Sequence, residues 1–410
     1  MGRAASSATL SLVAGLVFAG SAAADTFIPT RLDDPAPPNK CKLDDCSLRE
    51  AIKAANNRAG LDEVLLGKGT YELEILPVDG GANEDGQLVA VDSVTISGLG
   101  PRETRIDANG IDRVLAMGGK SILQGVTVKG GDAGANPFHS SNGGGILGVG
   151  QRIALKNVVV KQNAALFGGG VSMFGPKMTI RNSTIAQNNA GEGGGIDLRA
   201  LFVQTLMEIR SSTISGNTAG KGGGILADGF APSTQIPPIL DIDNSTVAGN
   251  DASGQGGGVF GDNDAIVVLD NTTVAYNMAD SDNSGGGVGG GIHQFNGASF
   301  QFNDSVLALN TVGSSGSGPA CHGSFSDGGS LVDATGTNPN CNFVGLFQPT
   351  VTTTPLIGPL ADNGGPTKTV KLLSGSPAIG LSLGCPNLDQ RGKDRPEDGC
   401  DAGSFERKGP

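Results

Sequence analysis

The stretch "NSTIAQNNAGEGGGI", residues 182–196, holds two phrases that recur through the middle of the chain. The first is a seven-residue strand phrase, NSTIAQN at 182–188. Variants stand at 157–163 (NVVVKQN), 211–217 (SSTISGN), 244–250 (NSTVAGN), 271–277 (NTTVAYN) and 304–310 (DSVLALN). The second is GGGI or GGGV, at 143–146, 168–171, 193–196, 222–225, 256–259 and 289–292. The closing asparagines step by 25, 29, 33, 27 and 33 residues. A period of this size with short β-branched strands predicts a parallel β-helix. Three strands of ~4–6 residues and three turns would fill one such coil. Leucine-rich repeats share the period but need a leucine ladder and a helical half, and these spacers hold Gly, Asp and Ser instead. The glycine density excludes helical repeats.

Strand alternation divides NSTIAQN into two faces, with Thr184 and Ala186 on one and Ser183, Ile185 and Gln187 on the other. Ile185 is the expected interior residue, stacked on Ile214 and Val247 of later coils. The asparagines are expected at turns, where they tolerate left-handed angles and where one amide can bond its equivalent in the next coil. The glycines would supply positive φ at a sharp corner. Asn-x-Ser/Thr patterns at Asn182, Asn244, Asn271 and Asn303 follow from the repeat and are read as structural. Upstream, 62–75, 91–100 and 113–130 read as degenerate coils.

Composition agrees with this reading. The 410 residues include 68 Gly, no Trp and 2 Tyr, with Val, Ile, Leu and Ala in short runs. The formal net charge of −12 argues against nucleic acid as a partner. It also argues against a polyanionic glycan as a tightly held one. Acidity suits an exported protein and divalent cations. No cofactor is expected, with Ca²⁺ the one possible ion.

Residues 1–24 read as a signal peptide: Arg3, an apolar run over 8–20, and SAAAD with cleavage after Ala24. No later segment is apolar enough to span a membrane, so no transmembrane segment is expected after its removal. Six cysteines suit an oxidising compartment and fall into three close pairs, Cys41 and Cys46, Cys321 and Cys341, Cys385 and Cys400. Local pairing is one of fifteen connectivities. Metal binding is the alternative, with no CxxC and only His139, His293 and His322 available. Over 46–60, CSLREAIKAANNRAG predicts a helix, with Ser47 as N-cap, Glu50 completing a capping box, and an apolar stripe of Leu48, Ala51, Ile52 and Ala55 that would plug the open end of the coils. The expected organisation is a signal peptide at 1–24, an N-terminal segment with the capping helix at 25–60, the β-helix at 61–345 and a C-terminal module at 346–410. Within it, 311–345 reads as a turn-rich link stapled by Cys321 and Cys341.

CSLREAI at 46–52 resembles the bacterial exported β-helix proteins whose N-terminal domain is named for the letters CSLREA. GPLADNGGPTKTVKLLSGSPAIG (358–380), DQRGKDRP (389–396) and CDAGSFE (400–406) resemble the C-terminal module of surface proteins called choice-of-anchor Q. Helix, coils and tail together span ~41–406. The resemblance implies a right-handed parallel β-helix of the pectate-lyase-like type, export and frequent surface display. It implies no settled activity.

Polysaccharide lyases and glycosidases also use such folds, and they need paired carboxyls, or carboxylate-held Ca²⁺ with a Lys or Arg base. Aligned on the Ile or Val that ends each glycine phrase, the following residues read LGVG, SMFG, DLRA, LADG, FGDN and HQFN. Asp197, Arg199 and Asp228 are the catalytic candidates, and Asp262, Asp264 and His293 the ligand-binding ones. In-register stacking would make an acidic strip from Asp197 to Asp262 with Arg199 upon it. The competing reading is turn chemistry for the Asp-Gly and Asp-Asn pairs and ordinary ion pairing for Arg199. Phe138, Phe167, Phe174, Phe230, Phe260 and Phe295 are candidate platforms for sugar stacking. The expected function is an exported, secreted or cell-surface β-helix protein, a non-enzymatic adhesin-like or glycan-binding scaffold meeting extracellular polysaccharide or a cell surface. The alternative is a polysaccharide lyase or glycoside hydrolase.

Overall fold

A computed structural model describes residues 24–407, apart from 79–84, 137–138, 201–202, 230–235, 334–339, 345–347, 383, 385 and 398. Nearly all of the expected signal peptide, and Phe138, Phe230 and Cys385, lie outside the described residues. The chain is a parallel β-helix. One central coil shows its plan. Val171–Met173 follows the glycine corner (sheet 1), then come Lys177–Arg181 (sheet 2), Thr184–Ala186 (sheet 3) and Asn189–Glu192 (sheet 4). The central coils thus have four strands rather than the expected three. The extra one lies between the closing asparagine and the glycines. Sheet 3 has 11 strands, from Gly69–Glu72 to Thr350–Thr352, and sheet 4 has six. Sheets 1 and 2 merge into one sheet of 20 strands through the long strand Cys321–Gly328. The segment expected as a turn-rich link therefore continues the coils, and Cys321–Cys341 joins two strands that pair in parallel. The upstream segments also form coil strands, among them Asp62–Leu65, Val94–Ser97 and Lys120–Gln124.

The interior is a set of stacked aliphatic rows. Ile185 pairs in register with Ile214, and Ile214 with Val247, all three fully buried. Each closing asparagine is buried at the end of its sheet 3 strand. Nδ2 of Asn163 donates to Oδ1 of Asn188 at 3.0 Å, Asn188 to Asn217 at 3.0 Å, Asn217 to Asn250 at 2.9 Å, Asn250 to Asn277 at 2.9 Å and Asn277 to Asn310 at 2.9 Å. The same Oδ1 accepts the previous asparagine's backbone N–H, as Asn217 Oδ1 does from Asn188 at 3.0 Å. The second Nδ2 proton goes back to a core strand carbonyl, as from Asn217 to Ile185 at 3.0 Å. Every polar atom of the amide is therefore used, which is the condition for burying it. Hydroxyls make a second ladder at the strand's opening. Ser183 Oγ accepts from the N–H of Val158 at 3.1 Å and Ser212 Oγ from that of Ser183 at 3.1 Å.

These closing asparagines are not left-handed. The positive φ falls on the residue before each, Gln187 at 57° and Tyr276 at 59° for example, and on the phrase's first residue, such as Asn182 at 50°. Tight burial of the closing amide leaves the bend to its neighbour.

The three glycines of a corner do different work. Gly168 has φ +65, which strains any residue with a Cβ. Gly170 does not need positive φ. A Cβ there would stand 2.6 Å from the Gly195 carbonyl oxygen and 2.8 Å from Asn188 Nδ2. The corner must be bare because the next coil and the amide ladder press against it.

Both ends of the chain dress the solenoid. The helix Leu48–Asn56 carries the full capping box of Ser47 and Glu50 and buries Leu48, Ala51, Ile52 and Ala55. Arg49 is also fully buried, bonding Asp34 at 2.8 and 2.6 Å and the carbonyl oxygens of Gly86 at 2.7 Å and Gln87 at 3.0 Å. Cys46 is bonded to Cys41. Each letter of CSLREA thus has a structural duty. The C-terminal residues lie against the outer face of sheet 3. There the threonines Thr213, Thr246 and Thr273 are covered and Val306, Leu331, Val370, Leu372 and Phe405 join a second apolar cluster. Gln390 keys this contact, accepting from Thr246 Oγ1 at 2.6 Å and donating to the Ser212 carbonyl at 3.1 Å. Cys400 is disulfide-bonded.

Gly170→Ala is expected to cost about 1–3 kcal/mol by overpacking. Gly110, with φ +75 and open space around it, should cost only the left-handed penalty of about 1–2 kcal/mol on the same substitution. Guanidinium midpoints check the difference, and a neutral Gly170→Ala would refute the close-approach argument.

Candidate functional site

The residues after each glycine corner form two rows on sheet 1. Register puts Ser172, Asp197, Leu226, Phe260, His293 and His322 in one row. Arg199, Asp228 and Asp262 form the next. The strip therefore runs Arg199–Asp228–Asp262, with Asp197 one row away, beside Arg199 but not in line with it. Alternation points Asp197 away from the interior, since Ile196 and Leu198 fill the core. Asp197 is nevertheless 0% exposed.

The partners of Asp197 and Arg199 together come from both sides of the glycine corner. Asp197 Oδ1 accepts from Arg199 Nε at 2.8 Å, and Oδ2 from Ser172 Oγ at 3.1 Å. Arg199 Nη2 donates to Glu192 Oε2 at 2.7 Å, and its guanidinium lies 4.2 Å from the Phe167 ring centroid. Glu192 and Phe167 pair in register at the end of sheet 4 strands. The residues just before the glycines thus close over those just after them. Asp228 accepts from Asn263 Nδ2 at 2.8 Å, and Asp262 from the Asn263 N–H at 2.8 Å.

Burial pushes the Asp197 carboxyl up to about 6 against the opposing pull of Arg199. For Arg199, burial pulls downward, but Asp197, Glu192 and Asp228 outweigh it and hold the guanidinium above its usual value. One cation is shared among several carboxylates, and the deepest carboxylate carries the desolvation cost. Asp262 is raised by burial and by the charge of Asp228.

The other candidates stand apart. Asp264 is an exposed turn residue with φ 62°. His293 is buried in an aromatic cluster, its ring 5.1 Å from Phe260, 5.8 Å from Phe295 and 5.0 Å from His322. Burial, and then the like charges of His322 and Lys221, lower His293 to about 4, so it is neutral at pH 7. Phe260 is buried, and Phe295 is 44% exposed. The carboxylates do not fit a Ca²⁺ site, because Arg199 sits among them and both Asp197 oxygens are engaged. Among the described residues, no three His, Cys, Asp or Glu side chains are grouped to hold a metal ion, and no helix is long and apolar enough to cross a membrane.

Glu192 and Phe167 escape an alignment that begins after the glycines, whereas Ser172 stands within it, in SMFG, but carries no charge to mark it. Reading the position just before the four middle glycine phrases finds Phe167, Glu192, Lys221 and Gln255, which pair in that order.

No family model matches the chain, so the resemblance at its two ends rests on those motifs alone. No curated protein matches it. Among solved structures, the chain is similar to the A-module of the mannuronan C-5 epimerase AlgE6 of Azotobacter vinelandii. The identity is 15% and the TM-score 0.42, over 77% of this chain and 96% of that one. Likeness at that level bears on neither substrate nor mechanism.

The raised Asp197 sets a pH dependence. Between its usual 3.8 and about 6 the folded state holds the proton more tightly than the unfolded state. Folding stability from this group therefore falls as pH rises through that window and levels above it. In denaturant titrations the wild type should lose stability relative to Asp197→Asn from pH ~4 to ~6 and run parallel to it at higher pH. A constant difference across the window would contradict the assignment.

Proposed function

We propose that this protein is an exported, non-enzymatic binding scaffold, displayed at a cell surface or released, whose ligands are extracellular glycans. One observation carries the reading: Asp197, the carboxylate best tuned for acid–base work, is fully buried with both oxygens engaged by Arg199 and Ser172. A general acid or nucleophile must reach the scissile bond. This carboxylate instead anchors Arg199, which reaches Glu192 on the other side of the glycine corner. The disulfides Cys41–Cys46 and Cys321–Cys341 favour an oxidising compartment. In this reading residues 1–24 are the export signal, 25–60 cap the coils, 61–345 form the β-helix that presents long regular faces, and 346–410 are an accessory module.

The enzyme alternative takes the raised Asp197 and charged Arg199 as acid and base partners of a lyase or glycosidase. Purified protein incubated with a panel of polyuronates should give no rise in ultraviolet absorbance from unsaturated product, while a glycan array should give specific signals. Cleavage abolished by Asp197→Ala or Arg199→Ala would overturn the scaffold reading in favour of the enzyme.

A further inference from the structure

The outer face of sheet 2 carries a charge pattern that the net charge of −12 conceals. Three consecutive strands, Lys120–Gln124, Arg152–Lys156 and Lys177–Arg181, pair in register. Their first residues form one outward row, Lys120, Arg152 and Lys177. Their last form another, Gln124, Lys156 and Arg181. Between the rows lie the shorter side chains of Ile122, Ala154 and Thr179. The result is an open depression of about 580 Å³ lined by five cations and one carboxylate, Glu208. Glu208 is paired with Lys177 at 2.9 Å. Lys120, Arg152, Lys156 and Arg181 are all exposed.

The same face turns acidic further along. The next strands bring Glu208, Asp241, Asp243 and Asp270. The carboxylates there are engaged locally: Arg210 bonds Asp241 at 2.9 Å and Asp243 at 2.5 Å, and Asn303 donates to Asp270 at 2.5 Å. Each of these four carboxylates already bonds a side chain of the same face, which weakens this half as a complement for the basic half of a second copy. The four exposed cations call for anions from outside.

We propose that this two-railed track binds a linear polyanionic glycan, one bearing carboxylate or sulfate groups at regular intervals along the chain. The inference rests on the reading of the protein as a glycan-binding scaffold and names its face and ligand class. Cations recur along each rail at the inter-strand spacing of ~4.8 Å, and the rails lie ~13 Å apart across a strand. The rail spacing is of the order of a short run of sugar units in an extended chain. The floor of Ile122, Ala154 and Thr179 offers a shallow bed for the less polar faces of sugar rings. No lining residue is aromatic, so the stacking platforms that hold single-stranded nucleic acid are missing. Arginine and lysine together match both planar carboxylates and sulfates.

The full chain is titrated with polygalacturonate oligosaccharides, dextran sulfate, neutral dextran and oligo(dT). The expected result is binding of one or both acidic glycans, weakened by added salt, with neutral dextran inert. The two acidic probes separate a carboxylate from a sulfate preference. Arg152→Glu with Lys156→Glu should weaken binding roughly tenfold or more, whereas Lys371→Glu in the C-terminal strand Thr369–Leu372 should not. Both sites are exposed, and circular dichroism verifies the fold. Unchanged affinity in the double variant overturns the proposal, as does equal binding of oligo(dT). Self-association that the double variant abolishes would give the face to a second copy and also overturn it. Glycan-array signals confined to neutral glycans sink this inference while leaving the scaffold reading in place, and a blank array sinks both.

Discussion

The structure depends on a column of buried asparagine amides. From Asn163 to Asn310 each side chain bonds the next at 2.9–3.0 Å and also a core strand carbonyl. A buried amide is costly unless all its donors and acceptors are met. Here they are met only when successive coils align residue for residue. A one-residue slip would break the column and turn the aliphatic rows outward. The ladder therefore fixes register, and register fixes which side chains meet on every other face.

The glycine corners depend on that column. Gly170 must be bare because Asn188 of the next coil stands where its Cβ would go. The corner brings sheet 4 against sheet 1, and the Arg199 cluster is the contact between them. Glu192 comes from one side and Asp197 from the other, and Arg199 joins them. The ends serve the same stack: Arg49 closes off the carbonyls of 86–87, and Gln390 threads among the hydroxyls of sheet 3. The Arg199 cluster, Arg49 and Gln390 each tie one part of the stack to another. The binding face proposed above is the one whose exposed cations lie outside these ties.

Much of the fold is legible in the sequence because a solenoid repeats its physics. Ile185, Ile214 and Val247 occupy equal places in equal phrases, so one correct interior residue predicts the others. The capping box of Ser47 and Glu50 is local and reads directly. The fourth strand is hidden because its residues, NAGE and TAGK for instance, are small or polar and lack the β-branched signature. The cover over sheet 3 is hidden for another reason: Gln390 meets Thr246 across 144 residues, and no local pattern records that contact. At the candidate site the residue types are legible but their burial is not, because Glu192 and Phe167 stand before the glycines and close over Asp197 and Arg199 beyond them. Net charge likewise conceals the pattern on sheet 2. It sums over a face whose basic and acidic halves are segregated by coil.

A double-mutant cycle at Asn188 and Asn217 tests the central claim most directly. Each alanine substitution alone removes the shared amide bond and strands a buried partner, so the pair replaced together should cost less than the sum of the singles. The predicted coupling is about 1 kcal/mol or more, within the range for residues of one hydrogen-bonded network. Additive costs would mean that the amides are tolerated passengers of the stack, and that register is set by the aliphatic rows alone.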